Sequence, residues 1–366
     1  MHTIFDIAAG TPMAELMGRE PSRAALEERI ANEGFRGRWY PLTGSANVGV
    51  APLAIERFGE RIVLWREPDG TVHAQEDRCP HRGARLSQGR VVARTIACPY
   101  HGIQIDGEGR IVSVPALPGC PIEGRLAVRT YAMHEIAGAI FAYFPTPAGE
   151  APIPFVPPPE FLDPAWSHFL CETTWQTNYR YAVENVIDPM HGPYLHGDSH
   201  TMQYGVKDDV MEITDTPDGF RISRKLQKDV AFDWTEFGEG GAFWMRLDIP
   251  YPPKDGPGGP FRVIGFVTPI GPRLSQIFFW RLRKVEGWQR DLWRFLYRDR
   301  LEARHYAVLE QDRVALEGMA DDARDHEILY QHDIGITRLR RRFRAIAREQ
   351  IEAATAQAEA SRALRA

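Results

Sequence analysis

Apolar and polar positions divide the chain into three textures. Residues 11 to 33 carry a helical pattern, with Pro21 and Ser22 as a start signal before "RAALEERIANEG" and Gly34 as a stop. From Trp39 to Phe144 the pattern changes to short β-rich runs, "RIVLWRE", "RVVART" and "GAIFAYF", punctuated by Gly and Pro. An extended proline-rich stretch at 145 to 161 follows and predicts a linker. Beyond it, "TTWQTNYRYAVENVID" turns helical in its later part, and "GFRISRKLQ", "AFWMRLDI", "FRVIGFVTPI" and "LSQIFFWRLRKV" predict antiparallel strands. A loop, "PYPPKDGPGGP", interrupts them, and a long helix is predicted from Trp288 to about Met319. The tail after Thr337 reads as a surface helix that frays.

Strands followed by a helix, without strict alternation, predict an α+β fold: an all-β domain, then an antiparallel sheet carrying a long helix. The boundaries expected are 1–35 for an N-terminal helical segment, 36–148 for the β domain, 149–337 for the second domain and 338–366 for the tail. With 366 residues, the chain is long enough for two cores.

Composition narrows the class. The chain is 43% hydrophobic and 25% charged, with a formal net charge of -5, which disfavours nucleic acid as a partner despite the arginines of the tail. No apolar stretch predicts a membrane span, and the N-terminus lacks the basic-then-apolar order of a leader, so a cytoplasmic protein is expected. Of the four cysteines, Cys79 and Cys98 stand near histidines, whereas Cys120 and Cys171 read as buried apolar thiols.

Chemistry concentrates in two stretches. In "CPHRGA" and "CPYHGI", Cys79 and His81 are followed after sixteen residues by Cys98 and His101. Structural zinc sites more often take like ligands in pairs. One thiolate and one imidazole from each loop suit a [2Fe-2S] cluster with two Cys on one iron and two His on the other. The second stretch, "NYRYAVENVIDPMHGPYLHGDSH", holds Glu184, Asn185, Asp188, His191 and His196. On an unbroken helix His191 and His196 would stand about 140° apart. Pro193 is expected to break the helix so that both imidazoles converge. A third ligand is offered by Asp312, which shares the apolar face of the long helix with Val308, Leu309, Ala315 and Leu316. A lone carboxylate there needs a metal or a cation; two histidines and a carboxylate suit non-haem Fe(II) with positions open for dioxygen. His200, His305, His326 and His332 read as polar surface residues, with His305 the candidate exception because it shares the Asp312 face.

Residues 39 to 145 resemble a Rieske domain, and the order of Rieske loops, linker, "EN-x-x-D-x-x-H-x-x-x-x-H" and distal Asp is similar to the α subunit of Rieske non-haem iron oxygenases. The resemblance implies that Cys79, His81, Cys98 and His101 hold one [2Fe-2S] cluster per chain, and that His191, His196 and Asp312 hold one mononuclear Fe(II). Asp188 falls on the family's bridging aspartate, between the iron histidine and His101 of a neighbouring subunit; it is the candidate catalytic residue beside the ligands. Glu184 and Asn185 would lie near the iron. The extra disulfide of respiratory Rieske proteins would fall on Ala84 and Tyr100 and is therefore missing. The resemblance further implies an α-only homotrimer and a small organic substrate with O2. It also implies electrons from a separate NAD(P)H-dependent reductase, with or without a ferredoxin. The expected activity is hydroxylation or O/N-demethylation of an aromatic or cyclic substrate. The alternatives are cis-dihydroxylation or, from other classes, an electron carrier with a non-catalytic binding domain or a zinc-stabilised binding protein. Among aromatics that could line a pocket are Phe232, Trp234, Phe243, Trp244, Phe266, Phe278 and Trp280; Arg246, if it faced that pocket, would favour a cyclic organic acid.

Overall fold

The computed structural model describes residues 21–199, 205–230, 232–249 and 259–363; the loop expected around 250–258 and His200 lie outside the described residues. The helix Arg23–Glu33 begins where expected, with the Ser22 hydroxyl accepting from the Ala25 amide, and ends at Gly34, whose φ of 100° and close approach to Pro269 both require glycine. Its Ala31 carbonyl accepts from the buried Tyr179 hydroxyl at 2.6 Å, tying the N-terminal segment to the second half of the chain.

Three small antiparallel sheets form the first half. One orders Arg38–Gly44, Ala139–Phe144 and Met133–Ile136; a second orders Leu53–Arg57, Glu60–Arg66 and Val72–Glu76; a four-stranded sheet runs from Arg90–Val92 to Ile111–Ser113. One chemically marked loop follows Val72–Glu76 of the second sheet and the other joins Thr95–Ala97 to Gln104–Asp106 of the four-stranded one, around a core of Trp65, Leu86, Ile96 and Ile105.

The second half is a seven-stranded antiparallel sheet in the order Trp166–Trp175, Leu274–Lys284, Phe261–Gly271, Trp244–Ile249, Trp234–Gly238, Gly219–Arg224 and Met211–Thr216. Both faces are covered, because successive side chains point to opposite sides and both sets are apolar. Phe237, Met245, Leu247, Ile249, Phe261 and Phe279 face the helices. Trp244, Ile264, Phe266, Phe278, Trp280 and Leu282 face the first half, where they meet Trp39, Phe141 and Tyr143. The proline-rich stretch is extended but not a free spacer: Phe155 and Phe161 pack into that second core, and buried Glu160 pairs with Arg246 at 2.7 Å and Arg262 at 2.6 Å.

The long helix is observed with one irregularity. An α-helix Gly287–Leu296 passes through a π-helical turn, Tyr297–Leu301, into Glu302–Glu317. The tail differs from expectation. Residues Ile334–Ala363 form one helix whose Leu339, Phe343, Ile346 and Ala347 are buried against the sheet, so its first half is core and not a fraying surface element. Its arginines hid that stripe, and they are paired: Arg340 with Glu184, Arg342 with Glu239, Arg348 with Glu27. Among the described residues no helix is long and apolar enough to cross a membrane. Cys120 and Cys171 are free and half-buried, less enclosed than expected.

Candidate active site

The two Cys and His loops are built alike. The Gly83 amide returns to the Cys79 carbonyl and the Gly102 amide to the Cys98 carbonyl, at 2.9 and 3.0 Å. Both glycines hold φ near the left-handed region, +76° and +71°, which closes each turn around its cysteine. The result is an ordered polarity: Cys79 and Cys98 are 2% and 3% exposed, whereas His81 and His101 are exposed with ring centroids 4.7 Å apart. Burial, with Cys98 adding to it, pushes the Cys79 thiol up to about 11. Among the described residues, the set of three or more such side chains whose ligand atoms all lie within 4.8 Å of one another is a different one. A thiol pair inside and an imidazole pair outside fit a two-iron cluster.

That other set is His191, His196 and Asp312. The helix Tyr179–Ile187 is capped by the Asn178 side chain and stops at Asp188, whose φ of −94° and ψ of 103° are extended. The break therefore falls before the histidines and not at Pro193. Pro189 disfavours the helical conformation for Asp188, the residue preceding it. Pro193 instead sits in the first turn of a new short helix, Gly192–Leu195, where its missing amide has no partner to lose. His191 and His196 flank this single turn with ring centroids 5.1 Å apart. Gly192 is required there, since a Cβ would meet the Phe232 ring at 2.6 Å.

Each imidazole is held by its Nδ1. In His191 it contacts the Asp188 carbonyl at 2.6 Å, and in His196 the Gln311 Oε1 at 2.8 Å. Both acceptors fix the proton on Nδ1, leaving the Nε2 lone pairs turned toward Asp312 Oδ1 at 3.5 and 3.2 Å. These approaches are not aligned as hydrogen bonds: Asp312 Oδ1 is a buried oxygen with no hydrogen-bond partner. Burial pushes the Asp312 carboxyl up, yet His191 and His196 hold it well below the usual carboxylate range. For His191, burial pulls the imidazole down and Asp312 and Asp188 more than reverse it. An orphaned anionic oxygen facing two imidazole lone pairs is a donor set matched to a divalent cation.

Other expected neighbours divide. The Asp188 carboxylate accepts from the Met190 amide at 2.7 Å and lies 3.9 Å from His191 Nδ1; it is the carbonyl of Asp188, not its carboxylate, that bonds the histidine. Asn185 lines the cavity beside the cluster. Glu184, one residue and about 100° away on the helix, points elsewhere and is buried between Arg324 and Arg340. Of the expected aromatics only Phe232 reaches the cavity; Trp244, Phe266, Phe278 and Trp280 fill the core between the two halves. Arg246 lies on that opposite face, paired with Glu160 and Glu236, so it does not face the pocket. The strand alternation was legible, and the structure turns the Arg246 face away from the cavity. The cation of the cavity is Arg281, and His305 lines the cavity too, with burial, Arg281 and Arg304 pulling it down to about 3. His326 is exposed and His332 half-buried, as surface residues. Gln311 and Arg281 carried no sequence signal beyond their place on elements that bear other site residues.

Residues 38–132 match the Rieske [2Fe-2S] domain family, and residues 175–353 match the vanillate O-demethylase oxygenase C-terminal domain. The 4beta-methylsterol monooxygenase of Methylococcus capsulatus is 30% identical over 268 residues, which span 69% of this chain and 69% of that relative. The chain belongs to the Rieske non-haem iron oxygenases. It is also 31% identical over 229 residues to the chloroplastic protein TIC 55 of Arabidopsis thaliana, covering 60% of this chain and 40% of that one. The chain thus spans about two fifths of the length of the first curated relatives it matches. In fold it is similar to the terminal oxygenase of carbazole 1,9a-dioxygenase from Nocardioides aromaticivorans, with a TM-score of 0.70 and 23% identity over 88% of this chain and 96% of that structure. The Rieske match implies a [2Fe-2S] cluster in the first half.

Proposed function

We propose that this chain is a terminal oxygenase. It would use O2 and electrons from a separate NAD(P)H-dependent reductase, directly or through a ferredoxin, to hydroxylate or O/N-demethylate an aromatic or cyclic organic substrate. The observation that carries the reading is the buried, unpartnered Asp312 oxygen facing the Nε2 atoms of His191 and His196 at the end of an apolar cavity. His191, His196 and Asp312 would hold a mononuclear iron, which would supply reductive oxygen activation, and Cys79, His81, Cys98 and His101 would hold a [2Fe-2S] cluster, which would supply electron transfer. The chain's own contributions are distinct. Asp188 and Gln311 set the tautomers of the two histidines. Phe232, Phe261 and Phe279 give the cavity an apolar wall that would limit water beside His191, His196 and Asp312.

The exposed edge of the cluster site supports assembly. His101 stands at the surface of the first half, and the Asp188 carboxylate keeps 27% of its side chain exposed. A closed head-to-tail ring of three copies would bring His101 of one against Asp188 of the next, and no subunit of another kind is needed. The structures similar to this chain include a carbazole 1,9a-dioxygenase oxygenase in complex with its ferredoxin, which supports a ferredoxin or reductase as partner.

The test is metal content with electron paramagnetic resonance on anaerobically purified, dithionite-reduced protein. About three irons per chain with a rhombic Rieske signal is expected. Two irons, with no gain on adding Fe(II), would reduce the chain to an electron carrier.

A further inference from the structure

Helix Gly287–Leu296 buries one face and leaves the opposite one bare. Its Trp293 is buried and packs with Tyr297 around Phe169. On the far side Trp288, Leu292 and Phe295 are 69%, 37% and 66% exposed. Intervals of four and three residues bring these three within about 60° of one another on the helix, so they form a single outward stripe. Large apolar side chains gathered in this way, rather than scattered singly, mark an interaction surface.

The charges beside the stripe narrow the partner. Arg290, Arg294 and Arg298 recur every fourth residue along one flank, a spacing at which like charges repel. Burial, with Arg298 and Arg290 alongside, holds Arg294 below its ordinary value. Their contacts are neutral. Arg290 donates to the Pro164 carbonyl at 3.4 Å and Arg294 to the Ser167 hydroxyl at 3.1 Å, while Arg294 and Arg298 lie over the Phe169 ring. Among the described residues no carboxylate forms an ion pair with any of the three. By contrast, Arg340, Arg342 and Arg348 of the C-terminal helix each have a glutamate. Between 287 and 301 the chain carries four arginines and two aspartates, one of which, Asp299, is engaged by Arg300. The local sign is thus opposite to the net charge of -5, and the counter-charge that is missing is negative.

A bilayer with acidic headgroups has that layering: negative charge at its surface and apolar chains just beneath. A helix lying on it sinks its aromatic tips deepest and keeps the cations of its flank beside the phosphates. We propose that this face docks on an anionic bilayer surface, with Trp288, Leu292 and Phe295 in the headgroup and upper acyl layer and Arg290, Arg294 and Arg298 against the lipid phosphates. The attachment is peripheral, since among the described residues no helix is long and apolar enough to cross a membrane. It does not depend on the oxygenase reading.

Flotation of the full, metal-loaded chain with vesicles tests it, using phosphatidylcholine alone and phosphatidylcholine with about 30% phosphatidylglycerol. Affinity for the anionic vesicles is expected to be about tenfold higher or more, and to fall in about 0.5 M salt. Trp288→Ser combined with Phe295→Ser should lower it by a further factor of about ten while the cluster absorbance stays unchanged. Arg298→Gln should weaken binding to the anionic vesicles alone. Brominated lipids should quench the tryptophan emission of the wild type, and Trp288→Phe should remove most of that quenching. No flotation, equal flotation with both lipids, binding that survives the substitutions, or quenching that persists in Trp288→Phe would overturn the proposal. Absence of vesicle binding together with a smaller oligomer in the double variant would assign the stripe to a second copy of the chain, and overturns it equally. If the double variant does not fold, Trp288→Phe and Arg298→Gln decide the matter.

Discussion

Gln311 accepts from His196 Nδ1 at 2.8 Å and occupies the helix position just before Asp312, so one turn of one helix supplies both a candidate ligand and the group that orients another. Replacing it with Leu removes the acceptor without removing a ligand. Iron affinity should then fall about 10- to 100-fold, while the visible spectrum of the cluster stays unchanged; equal iron affinity in the variant would deny Gln311 this role. His305 makes a pH statement. Its ordinary value is 6.5 and its folded value about 3, so below pH 6.5 the unfolded chain takes up a proton that the folded chain refuses. Stability is therefore full above about pH 6.5 and is lost progressively as pH falls toward 3, by about 2 kcal/mol at about pH 5. His305→Asn should flatten that part of the denaturation profile, measured by urea titration across pH.

At the scale of elements, the π turn Tyr297–Leu301 has a consequence for the site. It separates two anchored stretches, Trp293 on one side and Leu309, Asp312 and Leu316 on the other. The turn takes up one extra residue and keeps the flanks in phase, whereas one alanine inserted after Arg304, in the regular helix Glu302–Glu317, would rotate Asp312 against Trp293 by about 100°. The expected outcome is loss of the mononuclear iron with the cluster retained, read by iron content against cluster absorbance. The C-terminal helix acts through charge as well as packing. Burial alone would raise Glu184, and Arg340 with Arg324 holds it below the ordinary value. Arg340→Ala leaves one partner, and a loss of roughly 1–3 kcal/mol in chemical denaturation is expected. Helix Ile334–Ala363 shows why its role was illegible in the sequence. Its stripe of Leu339, Phe343, Ile346 and Ala347 is interleaved with arginines, and only the acidic partners on distant elements explain why they can lie against a core.

At the scale of the molecule, the two halves share one apolar layer. Trp39, Phe141 and Tyr143 from one and Trp244, Phe266, Phe278 and Trp280 from the other are all buried in it. Such a layer is a core more than a contact between independent domains, so cluster absorbance and circular dichroism should report a single unfolding transition. Trp280→Ala should lower its midpoint through a cost of about 3–5 kcal/mol. Separate transitions for the two probes would contradict the shared core.

The candidate residues of both sites were readable from the chain because their signals are local. Cys79, His81, Cys98 and His101 declare themselves by type and spacing, and Asp312 by being a carboxylate on an apolar helical face. The period-two alternation of the strands, and the presence of a helix beside them, were legible for the same reason. What the tertiary structure decided are the relations between distant segments. It chose which face of Trp244–Ile249 meets the cavity, replacing Arg246 by Arg281. It moved the break before His191 to Asp188 and set Gln311 against His196. A sheet with two apolar faces gives no sequence cue for which side will hold the other domain; that depends on packing between residues more than a hundred positions apart, as in Phe141 against Trp280.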